Sequence, residues 1–316
     1  MKRLLANKET GLTIILIVLS LVVWKMNPQF VSGTNLRNLA QLVGMYGIFS
    51  IGLGIIIITS GIDLSVGSVF ALLGVLLAMA LTEWKWPPVL AIVAALGFTS
   101  FLGFLHGVLI TRVKLQPFIV TLCGLLIYRG LARFVAKDET KGFGTAEGFE
   151  WLKSVATGDL FGIPTPFIVM LAVAVLTAIL LHRSVYGRHL YATGRNEEAS
   201  RYSGINTKRV VTLAYVFGGL LAGVSGILIA FYTNSVSPSS HGNSYELYGI
   251  AAAVLGGCSL RGGEGSVYGV VIGTILLQVL QNLVNLLGIP TSLNFAVMGA
   301  VILIGVVVDR FIGRKA

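Results

Sequence analysis

The chain alternates long apolar runs with short polar breaks. A run of roughly 17–25 apolar residues can cross a bilayer as a helix, and the runs predict about ten crossings. They lie near 10–26, 39–60, 66–82, 88–111, 115–135, 165–182, 210–232, 245–259, 266–288 and 291–308. The eighth is short enough to be a broken helix. The stops carry turn and interface residues, such as Asn27-Pro28 and Glu83-Trp84-Lys85-Trp86-Pro87-Pro88. A polar segment of mixed charge, 136–163, follows the fifth run, and a charged loop, 184–209, follows the sixth. The expected fold is an all-α polytopic membrane protein, with residues 1–316 forming a single transmembrane domain.

The halves echo each other. Tyr46-Gly47-Ile48, Leu53-Gly54 and Gly67-Ser68-Val69 recur as Tyr248-Gly249-Ile250, Leu255-Gly256 and Gly265-Ser266-Val267. Two copies of one membrane motif in opposite halves suit a protein built from two pseudo-repeats.

Composition supports the membrane reading. Hydrophobic residues make up 55% of the 316 and charged residues 11%, against about 25% charged in a soluble domain. Thirty-nine glycines allow helices to approach closely. The net charge of +10 raises nucleic acid as a partner, but an excess of Lys and Arg on cytoplasmic loops explains it better. The termini and the alternate loops near 112–114, 183–209 and 261 hold fifteen of the 23 Lys and Arg, which places both termini in the cytoplasm and 136–163 outside. Lys2, Arg3 and Lys8 before the first run imitate a signal peptide, but no small-x-small site precedes Pro28, so this run reads as an uncleaved span.

The chemistry sits in few places. Asp63, in Ser60-Gly61-Ile62-Asp63-Leu64-Ser65-Val66-Gly67-Ser68, is the only acidic residue between Glu9 and Glu83. A carboxylate in such apolar sequence marks a function or a helix end. Asp63 either caps the third helix or, with Ser65, stands at a broken helix end on a translocation path; both can hold together. In the loop 184–209, Asn196 can cap a short helix with Glu197 and Glu198 in its first turn, and Gly204 suits its C-terminus. That helix either presses on a partner or merely connects. Gln278, Gln281, Asn282 and Asn285 fall at i, i+3, i+4 and i+7, one polar stripe on an apolar helix. They either line a wet path or join helices by hydrogen bonds. The path is the preferred reading, and amides suit neutral polyhydroxylated substrates. Arg129 and Arg133 are expected to snorkel to the outer interface without a ligand.

Several classes are excluded. There is no G-x-x-x-x-G-K-[ST] motif, no Ser-His-Asp order, no H-E-x-x-H and no intramembrane carboxylate chain. No catalytic residue, cofactor or metal is expected. Cys123 and Cys258 lack partners at ligand spacing and read as apolar packing residues. A proton-driven carrier needs ionisable groups in the membrane, so the energy source lies outside the chain.

Three stretches resemble one family. Ser60–Ser68, Gly194–Ile205 and Glu246–Gly269 are similar to signature, coupling-loop and eighth-span motifs of the permeases of bacterial ABC importers for ribose, other pentoses and related monosaccharides, and Asn282, Asn285, Leu286, Leu287 and Gly288 match the ninth-span pattern. The likeness runs from about Pro28 to Asp309. Tyr248-Gly249 stands in place of a usual Asp-Ala, Arg195 of a Gly and Cys258 of a Thr, which puts the exact sugar in doubt and not the family. The resemblance implies an inner-membrane pore of two permeases, either two copies or a copy with a related permease. It implies a sugar-binding protein outside, and a cytoplasmic ATPase docked on Asn196, Glu197, Glu198, Ala199, Ser203 and Gly204. A branched-chain amino acid permease, or a passive channel or secondary carrier, is the alternative; the first needs groups for a carboxylate and an ammonium that the neutral stripe lacks.

Overall fold

The computed structural model describes residues 8–145 and 147–290, with isolated positions beyond. The tenth expected crossing, near 291–308, and the C-terminal charges lie outside the described residues.

The architecture is a helical bundle. Among the described residues the helices are α1 (Lys8–Met26), α2 (Gly33–Ile58), α3 (Val66–Thr82), α4 (Pro88–Thr111), α5 (Pro117–Ala136), α6 (Glu150–Thr157), α7 (Thr165–Arg183), α8 (Val185–Arg195), α9 (Glu197–Tyr202), α10 (Thr207–Thr233), α11 (Tyr245–Leu255) and α12 (Val267–Leu286). Nine of them match the first nine apolar runs closely. Six, namely α2, α4, α5, α7, α10 and α12, are long and apolar enough to cross a membrane; the Thr10–Met26 part of α1, α3 and α11 are shorter apolar helices. The protein is therefore a multi-pass membrane protein. Two antiparallel two-residue pairings, Lys141–Gly142 with Ser235–Val236 and Asp159–Leu160 with Ile163–Pro164, are the strands among the described residues.

Successive loops fall alternately at two ends. One end holds α8, α9 and the turns at 112–116 and 256–266. The other holds 136–164, where Lys141 reaches Glu83 at 3.0 Å and Arg37 pairs with Asp159. Hydrogen bonding to Glu83 holds the Lys141 ammonium above its ordinary range.

Local sequence sets each helix end. Asn27 Oδ1 accepts from Gln29 N to start a 3-10 turn, Pro28–Val31, and Ser32 Oγ accepts from Asn35 N to open α2. α4, α5 and α7 each open with a proline in the first turn, where its missing N–H costs nothing.

The core forms around α2. Its apolar run is 94% buried, whereas those of α4, α5 and α7 are only 28%, 28% and 22% buried. α2 is thus enclosed by other helices, and the last three present apolar faces suited to lipid. α10 packs chiefly on α4 and α2, and α12 on α11 and α2. Glycine makes the closest approaches. The backbones of Gly256 and Gly269 touch so tightly that a Cβ on either would overlap the other's carbonyl oxygen.

Both echoed segments are a helix, a non-helical bend and a second helix. The bends differ in length, 59–65 against 256–266. The repeated Gly-Ser-Val therefore lies inside α3 at 67–69 but opens α12 at 265–267, a shift that the sequence echo alone does not show.

Candidate functional site

α2 ends in a Schellman motif. Gly61 N donates to Ile56 O and Ser60 N to Ile57 O, with Ser60 left-handed at φ +62°. The chain then runs without helix to Ser65. Tyr215 on α10 donates its hydroxyl to Ile62 O at 3.0 Å. Asp63 is buried, and its Oδ1 accepts from Ser65 N at 2.8 Å and Ser65 Oγ at 2.6 Å. Asp63 thus makes a local turn at the N-cap residue, Ser65, and does not reach the first-turn N–H groups that a capping aspartate would accept from. The carboxylate of Glu246 from α11, itself buried, lies against Gly67 in that first turn, where a Cβ would overlap it. A carboxylate beside a helix N-terminus complements its dipole.

More buried polar groups surround this bend. His106 Nδ1 on α4 lies 3.9 Å from Asp63 Oδ2, and His106 Nε2 shares a 2.8 Å hydrogen bond with Tyr128 of α5. Arg129 does not snorkel outward. Its guanidinium turns inward and donates to His241 O at 2.8 Å, Pro238 O at 3.2 Å and Gly67 O at 3.3 Å. Arg133 is exposed and pairs with Asp138.

The charged loop contains two helices. α8, opened by Ser184 Oγ accepting from Gly187 N, extends α7 after a sharp turn. α9 is the short helix expected from Asn196: its Oδ1 accepts from Ala199 N at 2.9 Å. Gly204 N donates to Arg201 O and Ile205 N to Ser200 O, a second Schellman motif with Gly204 at φ +85°. Glu197 accepts from Thr207 Oγ1 at 3.1 Å and ties α9 to α10, while Ser203 Oγ donates to Ala199 O. Glu198, Arg201 and Tyr202 remain on the exposed face, with Tyr202 78% accessible. A cleft of about 870 Å³ separates α9 from the α4–α5 turn, with Ser60, Gly61 and Tyr215 among its lining and Lys114, Glu198 and Arg201 charging its rim.

The stripe on α12 divides. Asn282 exchanges two amide hydrogen bonds with Asn35 of α2, at 3.1 and 2.8 Å. That is the helix-joining arrangement. Gln278 is buried, Gln281 half-buried and Asn285 exposed.

Residues 35–306 match the family described as the branched-chain amino acid transport system / permease component. The chain belongs to this permease family. It is 39% identical over 301 residues to the ribose import permease protein RbsC of Bacillus subtilis, covering 95% of this chain and 91% of that protein. It is 37% identical over 297 residues to the ribose import permease protein RbsC of Escherichia coli strain K12, covering 94% and 92%. The xylose transport system permease protein XylH of Haemophilus influenzae is 30% identical over 343 residues, covering 90% and 91%. No solved structure is a significant match.

Within this permease, the motif Ser60–Ser68 marks the bend, but its supports are scattered: His106 and Tyr128, Arg129, Tyr215 and Glu246. Only the isolation of His106 and Arg129 in apolar sequence signals them.

The Asp63 geometry separates its two readings. Asp63→Asn keeps the accepting oxygen and is expected to melt in detergent close to wild type, whereas Asp63→Ala leaves buried donors unpaired and costs about 1–3 kcal/mol. Transport that survives in Asp63→Asn supports the turn; a folded Asp63→Asn that does not transport shows that the charge itself is needed on the path.

Proposed function

We propose that the chain is the membrane permease subunit of an ATP-driven importer, moving a monosaccharide, ribose or a related pentose or hexose, into a bacterial cytoplasm. The near full-length identity to two ribose import permeases carries this reading. The relatives named for ribose and xylose favour a sugar over the branched-chain amino acids of the family's description.

The division of labour follows from the chain's chemistry. It has no nucleotide-binding motif, so a separate ATPase supplies the energy by docking on α9 through Glu198, Arg201 and Tyr202. The remaining loop residues, Asn196, Glu197, Ala199, Ser203 and Gly204, shape that helix from within. A binding protein delivers sugar at the end that holds 136–164, and a second permease copy or a related permease completes the pore. Gln281 and Asn285 face this path. Asp63, Ser65 and Asn282 have partners inside the chain and shape its walls, and Gln278 lies deeper. The α9 end is cytoplasmic, as the positive-inside bias requires, in the inner membrane and with both termini inside.

The purified chain alone in liposomes is expected not to accumulate labelled monosaccharide. Adding ATPase and binding protein restores uptake, and Glu198→Lys in that assembly lowers it about tenfold, equivalent to about 1.4 kcal/mol. Saturable accumulation by the chain alone contradicts the reading and favours a secondary carrier.

Orientation has its own test. In a Cys123→Ser background, which removes the exposed thiol, a cysteine replacing Glu147 is expected to react with an impermeant thiol reagent on intact cells, and one replacing Arg201 is not. The reverse pattern refutes the orientation.

A further inference from the structure

Ser60 occupies a position that its backbone does not favour. It is the residue after the cap of α2, in the left-handed region at φ +62°, where glycine is the usual choice. The second bend shows the ordinary solution. α11 ends in the same Schellman arrangement, with Gly257 N donating to Val254 O and Cys258 N to Ala253 O, and glycine sits at the matching position with φ +93°. The turn itself therefore does not call for a serine.

The hydroxyl has another task. Ser60 Oγ lies 3.0 Å from Gly194 O, at the end of α8, and 2.8 Å from Arg261 O, in the second bend. Its single proton is shared between two carbonyls on different elements. The same spot is fastened by backbone alone: Gly263 N donates to Ile58 O at 2.8 Å. Tyr191 of α8 donates its hydroxyl to Gly265 O at 2.8 Å. A Cβ on Gly194 would overlap Ile58 O, and one on Gly262 would overlap the Ser60 hydroxyl. Four short contacts thus bring the end of α2, the end of α8 and the loop 261–265 to one junction.

The three elements have different neighbours. α8 leads directly into α9. Ser60 leads into the bend that positions α3, and loop 261–265 leads into α12. We propose that Ser60 is a positioning residue for transport: its hydroxyl locks the α8–α9 hairpin to both helix bends, so that displacement of α9 moves α3 and α12 together. This rests on the importer reading, in which the ATPase acts on α9. A rigid link of this kind couples two sites only if both bias the same element, and the junction is that element.

The test exploits the unusual backbone. Ser60→Gly suits a left-handed position better than serine and removes the CH2OH side chain, and with it the hydroxyl that makes both contacts. The assembly of permease, ATPase and sugar-binding protein is reconstituted in nanodiscs and proteoliposomes. Melting temperature, basal ATP hydrolysis, its stimulation by sugar-loaded binding protein and sugar uptake are measured for wild type, Ser60→Gly and Ser60→Asn. Asparagine tolerates the left-handed region and retains a donor. Ser60→Gly is expected to melt at or above the wild-type temperature and to keep basal hydrolysis, yet to lose stimulation and uptake by about fivefold or more. Ser60→Asn is expected to recover part of both. Stability and coupling then move in opposite directions, which a merely structural residue cannot produce. Wild-type stimulation and uptake in Ser60→Gly overturn the inference, as does a fall in melting temperature that accounts for the loss. A wild-type assembly that shows no stimulation overturns the importer reading, and this inference with it.

Discussion

In a membrane protein, every backbone N–H and C=O that leaves a helix must find a partner within the protein, because lipid offers none. Two segments of this chain leave helical geometry between consecutive membrane helices, 59–65, which runs in from the α9 end, and 256–266, at that same end. Much of its scarce polar inventory is gathered around them. Tyr215 satisfies Ile62 O, Asp63 satisfies Ser65 N, and Arg129 satisfies three carbonyls from two elements, while the Glu246 carboxylate lies against Gly67. The second bend relies more on its own backbone, with Ser259 N donating to Glu264 O and Gly262 N to Ser259 O. Its glycines at 257, 262, 263 and 265 take up the left-handed conformations that this folding requires.

The same constraint explains how the molecule divides stiffness from surface. α2 is enclosed and holds the bend at its end, while α4, α5 and α7 show apolar faces outward. Polar groups on the inward faces of α4, α5 and α10 reach the bend, as His106, Arg129 and Tyr215 do. At one end α9 carries a charged and aromatic face that the other described residues leave uncovered.

Much of this was legible in the sequence where the signal was local. Apolar runs placed nine helices because hydrophobic length is set by the bilayer and not by tertiary detail. Asn196 and Gly204 announced α9 because caps act within one turn. The stripe on α12 was visible as a period, but the pairing of Asn282 with Asn35 was not, since it joins residues far apart in the chain. Asp63 was conspicuous, yet its role as a turn residue hinged on Ser65 two positions on, and the carboxylate that lies beside the α3 N-terminus, Glu246, arrives from another helix. Arg129 resembled a snorkelling arginine because sequence shows depth and not direction. The junction at Ser60 joins three separated stretches and left no periodic trace.

The central claim is that the two bends are hydrogen-bonded structure and not loops. Hydrogen exchange of the permease in nanodiscs, read by mass spectrometry, tests it directly. Amides in 60–69 and 256–263 are expected to exchange about a hundredfold or more slowly than those around the exposed Phe161 turn, and Tyr215→Phe is expected to accelerate the first segment while leaving the second unchanged. Exchange in both bends as fast as at Phe161 would contradict the account.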